Sequence, residues 1–279
     1  MLRAGQIADW EGIEKFWHKS IYDYIRCEPE EHKFILTEPP MNSPENREQI
    51  AEIMFETFNV KGLFIGVQAV LALYAQIAGP GASQQDLENI GSDSLTGTVV
   101  DSGDGVTHVF PVCCGQVIES AVQHIPLAGR NITEYVRDQL MARGEVFKPE
   151  DSNEIAAKAK EKYGYVCKDV LKEFNKYDEK GEDKDGRIKQ SSKFKNLSFT
   201  TVNGNDVSVD VGYERFLGPE MFFHPEFLNK DFSKPLGEVV DNSIQKCPID
   251  FRVQLYQNIV LSGGSTLFTG FDKRLQGQV

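Results

Sequence analysis

A chain of 279 residues with 42 acidic against 30 basic side chains carries a net charge of −12, which excludes nucleic acid or an anionic membrane surface as its main partner. With 40% hydrophobic residues and ordinary glycine, proline and aromatic content, it has a globular composition, large enough for one big domain or two of usual size. Its most apolar stretch, Gly62–Ala78, is broken by Gln68 and Gln76 and falls short of the roughly 20 apolar residues that span a bilayer, so no membrane insertion is expected.

Five scattered cysteines (Cys27, Cys113, Cys114, Cys167, Cys247) form no C-x-x-C and read as reduced thiols with no structural zinc. Met1–Gly12 holds no apolar core and carries Asp9 and Glu11, so no secretory leader is expected there.

Asp9–Arg26 has the spacing of an amphipathic helix, with Trp10, Ile13, Phe16, Trp17, Ile21, Tyr24 and Ile25 expected in the core. His32–Thr37 reads as a strand. Ser43 is a predicted N-cap, Pro44 a first-turn residue, and Ile50, Ile53, Met54, Phe55 and Phe58 the inner face of the helix that follows. Val60–Val67 is a second strand. Two strands joined by a helix form a βαβ unit and should run parallel. Gln68 opens the next helix, at the carboxyl end of that strand. Ligands of α/β sheets gather there, although a capping role is the plainer one. Gly79–Ser94 is polar and reads as a boundary loop.

The most informative stretch is Thr98–Val112, two β-branched runs joined by Asp101-Ser102-Gly103-Asp104-Gly105-Val106-Thr107-His108. Gly103 and Gly105 can take the positive φ of a tight turn, and such a turn can aim backbone N–H groups at a phosphate. Asp101, ending the incoming strand, is suited to hold Mg²⁺ through water. Cys113 and Cys114 are predicted on a strand, on opposite faces, and Gly115–His124 is a further predicted strand. Helices are expected from about Asn131 to Arg143, over Asp151–Val166 and over Lys234–Lys246. The charged stretch Asp178–Arg187 reads as a solvated loop, because a calcium loop would need an acidic ligand where Gly181 stands. Lys193–Asp210 has β character. Asn258–Phe268 gives an apolar strand, the turn Gly263-Gly264 and a helix start, an arrangement that lets a nucleotide approach the backbone.

These residues carry a resemblance. Leu36–Asn42, Ile53–Asn59, Gln68–Tyr74, Asp101–His108 and Leu261–Thr266 resemble the actin superfamily, collinearly over nearly the whole chain. Lys172–Asp178, Val211–Glu220, Phe222–Phe227 and Arg26–His32 are similar to one actin-related branch more than to actin itself.

The resemblance implies an α/β, actin-like ATPase fold of duplicated ribonuclease-H-like βαβ domains around a nucleotide cleft. Residues 1–75 would be a partial first half. Residues 76–127 with 231–279 would form the core of the second half, and 128–230 an inserted helical subdomain. It further implies that the chain begins beyond another phosphate hairpin and its lysine, and stops before the family's final helices. The fold would therefore be incomplete as given.

The resemblance also implies ATP or ADP with Mg as ligand. Asp101 would hold the ion through water. Gln68 and His108 would orient a water for attack on the γ-phosphate. Ser102, Gly103, Asp104, Gly105 and Val106 would form the phosphate hairpin. Gly129, Lys160, Glu161, Gly263, Gly264, Ser265 and Phe268 would line the rest of the nucleotide pocket. Implied partners are actin-related protein 2 and the other members of a seven-subunit complex that nucleates branched actin filaments, together with actin and nucleation-promoting factors, in the cortical cytoskeleton. Asn131 departs from the family's usual Asp after Gly-Arg. Two alternatives stay open on these residues: a degenerate actin-like interaction module that binds no nucleotide, and another ATPase of the same fold.

Overall fold

The computed structural model describes residues 2–3, 6–39, 41–79, 95–177, 181–182, 188–189, 193–228 and 234–279. The expected boundary loop lies outside them from residue 80 to 94, as does most of the charged stretch 178–187. In chain order the strands are β1 (Leu2–Arg3), β2 (Gln6–Ile7), β3 (Lys33–Glu38), β4 (Gly62–Val67), β5 (Gly97–Ser102), β6 (Thr107–Cys113), β7 (Gln116–Val117), β8 (Gln123–Ile125), β9 (Gly181–Glu182), β10 (Ile188–Lys189), β11 (Lys195–Thr200), β12 (Asp206–Val211) and β13 (Ile259–Ser262). The α-helices are α1 (Trp10–Lys19), α2 (Pro44–Glu52), α3 (Gln68–Ile77), α4 (Gly129–Ala142), α5 (Ser152–Tyr163), α6 (Val170–Asn175), α7 (Glu214–Glu220), α8 (Leu236–Gln245), α9 (Ile249–Gln257) and α10 (Phe271–Gln276). No helix among the described residues is long and apolar enough to cross a membrane.

The chain divides into two compact units. One holds Met1–Asp101, His108–Gln123 and Ser243–Val260; the other holds Ser102–Thr107, His124–Asn242 and Leu261–Val279.

In the first unit, β3 and β4 pair in parallel with Ile35 opposite Phe64 and Glu38 opposite Val67, the geometry expected of a βαβ unit. The intervening helix starts as expected. Pro44 occupies its first turn and Ser43 Oγ accepts the Asn46 N–H at 3.3 Å. Ile50, Met54 and Phe58 are buried with Ile21 and Val60 in one core cluster, whereas Phe55 faces outward. A second cluster packs Ala69 and Leu73 of α3 against Val99, Phe110 and Val112 of the larger sheet. That sheet has the order β13-β5-β6-β7, with β8 also paired to β6.

The first helix departs from expectation. Its α-helical part ends at Lys19 and a π-helical stretch, Ser20–Ile25, follows, with Arg26 in the left-handed region at φ 58°. Backbone bonds from residue i+5 widen the turn and shift the apolar stripe out of phase at Tyr24 and Ile25, whereas Phe16 lies in the α-helical part before it. Ile13 and Ile21 remain buried, but Phe16, Tyr24 and Ile25 are 53%, 75% and 63% exposed, so the core placement expected of these three is wrong.

Gly115–His124 is likewise not one strand. Cys114 (φ 50°) and Gly115 (φ 78°) turn the chain, and the two-residue β7, a 3-10 turn at Glu119–Ala121 and β8 follow. Cys113 ends β6 and is buried; Cys114 sits in the turn, not on a strand. All five cysteines are free thiols, and burial pushes the Cys113 thiol up to about 11.

In the second unit, α4 packs against α5 and α7. Ile132, Val136 and Leu140 recur at i, i+4 and i+8 on α4 and all three are buried, as are Ile155 and Ala159 of α5 and Phe216 of α7. Gly218 lets α7 come close, since a Cβ there would meet Val136 Cγ2 at 3.0 Å. β11 and β12 form an antiparallel hairpin. Fully buried Glu214 binds Arg143 Nε at 2.7 Å and the Gly212 N–H at 2.7 Å, fixing the end of α4 to the start of α7.

Candidate functional site

The hairpin forms as the sequence implies, with β5 and β6 joined by Gly103–Val106 and the Gly103 N–H donating to Val106 O at 3.4 Å. Its glycines act differently from expectation. Neither Gly103 nor Gly105 has a positive φ, and a Cβ at either would meet nothing within 4 Å. What glycine provides here is uncovered backbone. The positive φ belongs to Gly263 at 87°, where a Cβ would stand 2.2 Å from Ser102 O; glycine at 263 is therefore obligatory.

Below the hairpin, side chains and helix termini lock the turn. Ser102 and Thr107 hydroxyls meet at 2.7 Å, and Thr107 donates to Leu127 O at 2.6 Å. The first two N–H groups of α4 go to the turn itself, Gly129 N to Gly103 O at 3.0 Å and Arg130 N to Asp104 O at 2.8 Å. Ser265 Oγ donates to the same Gly103 carbonyl at 2.7 Å. Gly129 has no room for a side chain, because a Cβ would lie 2.8 Å from Ser265 Oγ and 3.1 Å from Gly103 O. Asn131 supports this helix start by accepting the Ala128 N–H at 3.1 Å.

Beside the hairpin lies a cavity of about 490 Å³, lined by Gly103, Asp104, Gly129, Lys160, Glu161, Lys162, Gly164, Gly264, Ser265, Leu267, Phe268 and Thr269. Eight of these are residues that the resemblance implied, drawn from four separate stretches of sequence. Lys160 and Glu161 stand near the end of α5. Burial lowers the Lys160 ammonium from its ordinary value, while Glu161 and Asp104 pull it back up, and its Nζ donates to Gly129 O at 3.0 Å. Gly264 opens a 3-10 turn, Gly264–Thr266, and no α-helix begins until Phe271, which corrects the expected helix start after Gly263.

Four lining residues carried no expectation: Lys162, Gly164, Leu267 and Thr269. Gly164 ends α5, and a Cβ there would meet Lys160 O at 2.4 Å and the Phe268 ring at 2.6 Å. Tyr165 bridges Thr269 in parallel, Val166 N donates to Thr269 O at 2.9 Å, and Gly270 takes φ 89° beside Val166 O. The one sequence signal among these four was Gly164, a glycine directly after a helix, kept there by close approach and not by a left-handed backbone.

Gln68, Asp101 and His108 belong to the first unit. Gln68 is the first residue of α3 and makes no cap. Its amide donates to Thr37 Oγ1 at 3.3 Å, near the carboxyl ends of the parallel pair. Asp101 is half-buried near the end of β5, and half-buried His108 lies against the Phe110 ring with centroids 5.1 Å apart. Of the remaining hairpin residues, Ser102 is buried and Val106 half-buried; neither these nor Gly105 and Gly263 line the cavity.

The cavity's composition fits a nucleotide. A carboxylate at Glu161 can accept ribose hydroxyl protons, the Phe268 ring offers an apolar face, and glycines 103, 129 and 264 expose backbone. A strand-loop-strand hairpin beside such a cavity could take a phosphate, in an α/β protein whose sequence belongs to a known class. A family model described as Actin matches residues 1–279, and the chain belongs to the actin family. Curated relatives named Actin-related protein 3 from Drosophila melanogaster, Dictyostelium discoideum and Acanthamoeba castellanii are 54%, 52% and 53% identical over the whole chain. The chain spans 63%, 62% and 61% of the length of these three.

Proposed function

We propose that the protein is an ATP-binding, actin-related structural subunit of the seven-subunit actin-related protein 2/3 complex, which nucleates branched actin filaments in the cortical cytoskeleton. The observation that carries this reading is the identity above 50% over every residue of the chain to proteins named Actin-related protein 3. The cavity supports the nucleotide half of it. Its partners in this reading are actin-related protein 2, the other five subunits, actin and nucleation-promoting factors.

In this reading Gly103, Asp104, Gly105 and Val106 cradle phosphates with Ser102 behind them, and Asp101 holds Mg²⁺ through water. When bound, Mg²⁺ neutralises charge on the phosphates. Glu161 takes the ribose, while Gly129, Gly263, Gly264 and Ser265 keep the backbone close. Phe268 lies beside the base, with Lys160 at the wall. Gln68 and His108 orient a water in line with the γ-phosphate. Positioning supplies most of what such a transfer needs, so hydrolysis is slow without an activating arginine. Nucleotide then acts as a conformational ligand, and 128–230 is the inserted subdomain of the second half.

Affinity purification of the full-length protein from its source cells tests the assembly. Recovery with actin-related protein 2 and the remaining subunits in equal amounts is the expected result. Recovery as a lone monomer contradicts it.

A further inference from the structure

Asp104 is a carboxylate inside the hairpin proposed to hold phosphates, where an unpaired negative charge would repel the ligand. Arg130 answers it three times. Its Nε and Nη2 donate to Asp104 Oδ2 at 3.2 and 3.0 Å, and its own N–H donates to Asp104 O at 2.8 Å. Asp104 lines both the 490 Å³ cavity and a smaller one of about 330 Å³, whose wall includes Arg130, Lys160 and Glu161. Among the charged residues lining the larger cavity, Asp104 and Glu161 cancel Lys160 and Lys162. Arg130 and Glu134, which both line the smaller cavity, cancel in turn, so the positive charge set against Asp104 at the hairpin is Arg130 itself.

We infer that Arg130 is a positioning residue that neutralises and orients Asp104, so that the hairpin favours a polyphosphate-bearing ligand over the bare nucleoside. This rests on the nucleotide reading of the cavity. The pair is about two-thirds exposed on both sides, so it adds little to fold stability. Its effect falls on a multiply charged ligand arriving beside it, through an interaction that weakens with salt.

The full-length protein, in the assembly from which it is purified, is titrated by calorimetry with Mg-ATP and, separately, with adenosine. The variants are Arg130→Gln, Arg130→Lys and Arg130→Gln combined with Asp104→Asn. Arg130→Gln is expected to weaken ATP about tenfold at low salt while adenosine stays within about twofold. Arg130→Lys should retain part of the ATP affinity, and adding Asp104→Asn should restore most of it. Equal weakening of both ligands, unchanged ATP affinity, or no rescue by Asp104→Asn overturns the inference. Should Arg130→Gln fail to fold, Arg130→Lys decides: weaker ATP binding with adenosine within about twofold supports the inference, and equal weakening of both ligands or unchanged ATP affinity overturns it. Wild type binding neither ligand overturns the nucleotide reading itself, a result distinct from the others.

Discussion

Gly164 shows how much a single missing side chain contributes to the cavity. A methyl group there would stand 2.4 Å from the Lys160 carbonyl oxygen, which the helix holds in place, and 2.6 Å from Phe268. Gly164→Ala should therefore cost about 1–3 kcal/mol in urea denaturation and displace the Phe268 ring, weakening nucleotide binding as well. Glu38 offers a different test. It is buried at the carboxyl end of β3, paired with Arg47 and accepting from Asn42 at 3.0 Å. Burial alone would raise its pKa, but the Arg47 guanidinium and Asn42 amide outweigh that and hold the carboxyl below the usual range. A depressed folded pKa means stability present above the ordinary carboxylate value near ~4.3 and lost as pH falls through the folded value. The stability gap between wild type and Glu38→Gln, measured by chemical denaturation against pH, should be widest near neutrality and close below about pH 4.

At the level of elements, the contact between α4 and α7 depends on a buried ion pair. Glu214 is fully buried and Arg143 nearly so, with Arg143 also reaching Asp210 O and Glu145. Glu214→Ala removes the carboxylate at Arg143 Nε and the acceptor of the Gly212 N–H, leaving Glu145 as the guanidinium's carboxylate, and should cost about 1–3 kcal/mol in the same denaturation assay. The elements also mark where sequence reading works. The parallel β3–β4 pair, the Ser43 cap and the stripe Ile132, Val136 and Leu140 on α4 follow from period and capping chemistry, which are local. The π-helical turn at Ser20–Ile25 does not, because nothing in a 3.6-residue period announces where the helix widens. Tyr24 and Ile25 consequently read as core and face outward. Cys114 fails for a similar reason: a non-glycine residue at positive φ carries no composition signal.

For the whole molecule, family membership was legible from motifs at the hairpin, the Gly-Gly turn and the strand-helix junctions, because each of these has few sequence solutions. The cavity was legible in part. Residues within motifs, such as Gly103, Lys160 and Phe268, were identifiable. Lys162, Gly164 and Thr269 become neighbours only because 164–166 pairs with 268–270 across a hundred residues of sequence. The locking of the hairpin onto α4 by the Gly129 and Arg130 N–H groups was equally hidden.

The second-unit cavity is proposed to hold a nucleotide. The most direct measurement is equilibrium titration of the full-length protein with Mg-ATP, beside the variant Gly129→Val, whose side chain would collide with Ser265 and the Gly103 carbonyl. Saturable one-to-one binding by the wild type and none by Gly129→Val is expected, with both still unfolding cooperatively. Wild type that takes up no ATP, or a folded Gly129→Val that binds it equally well, would contradict it.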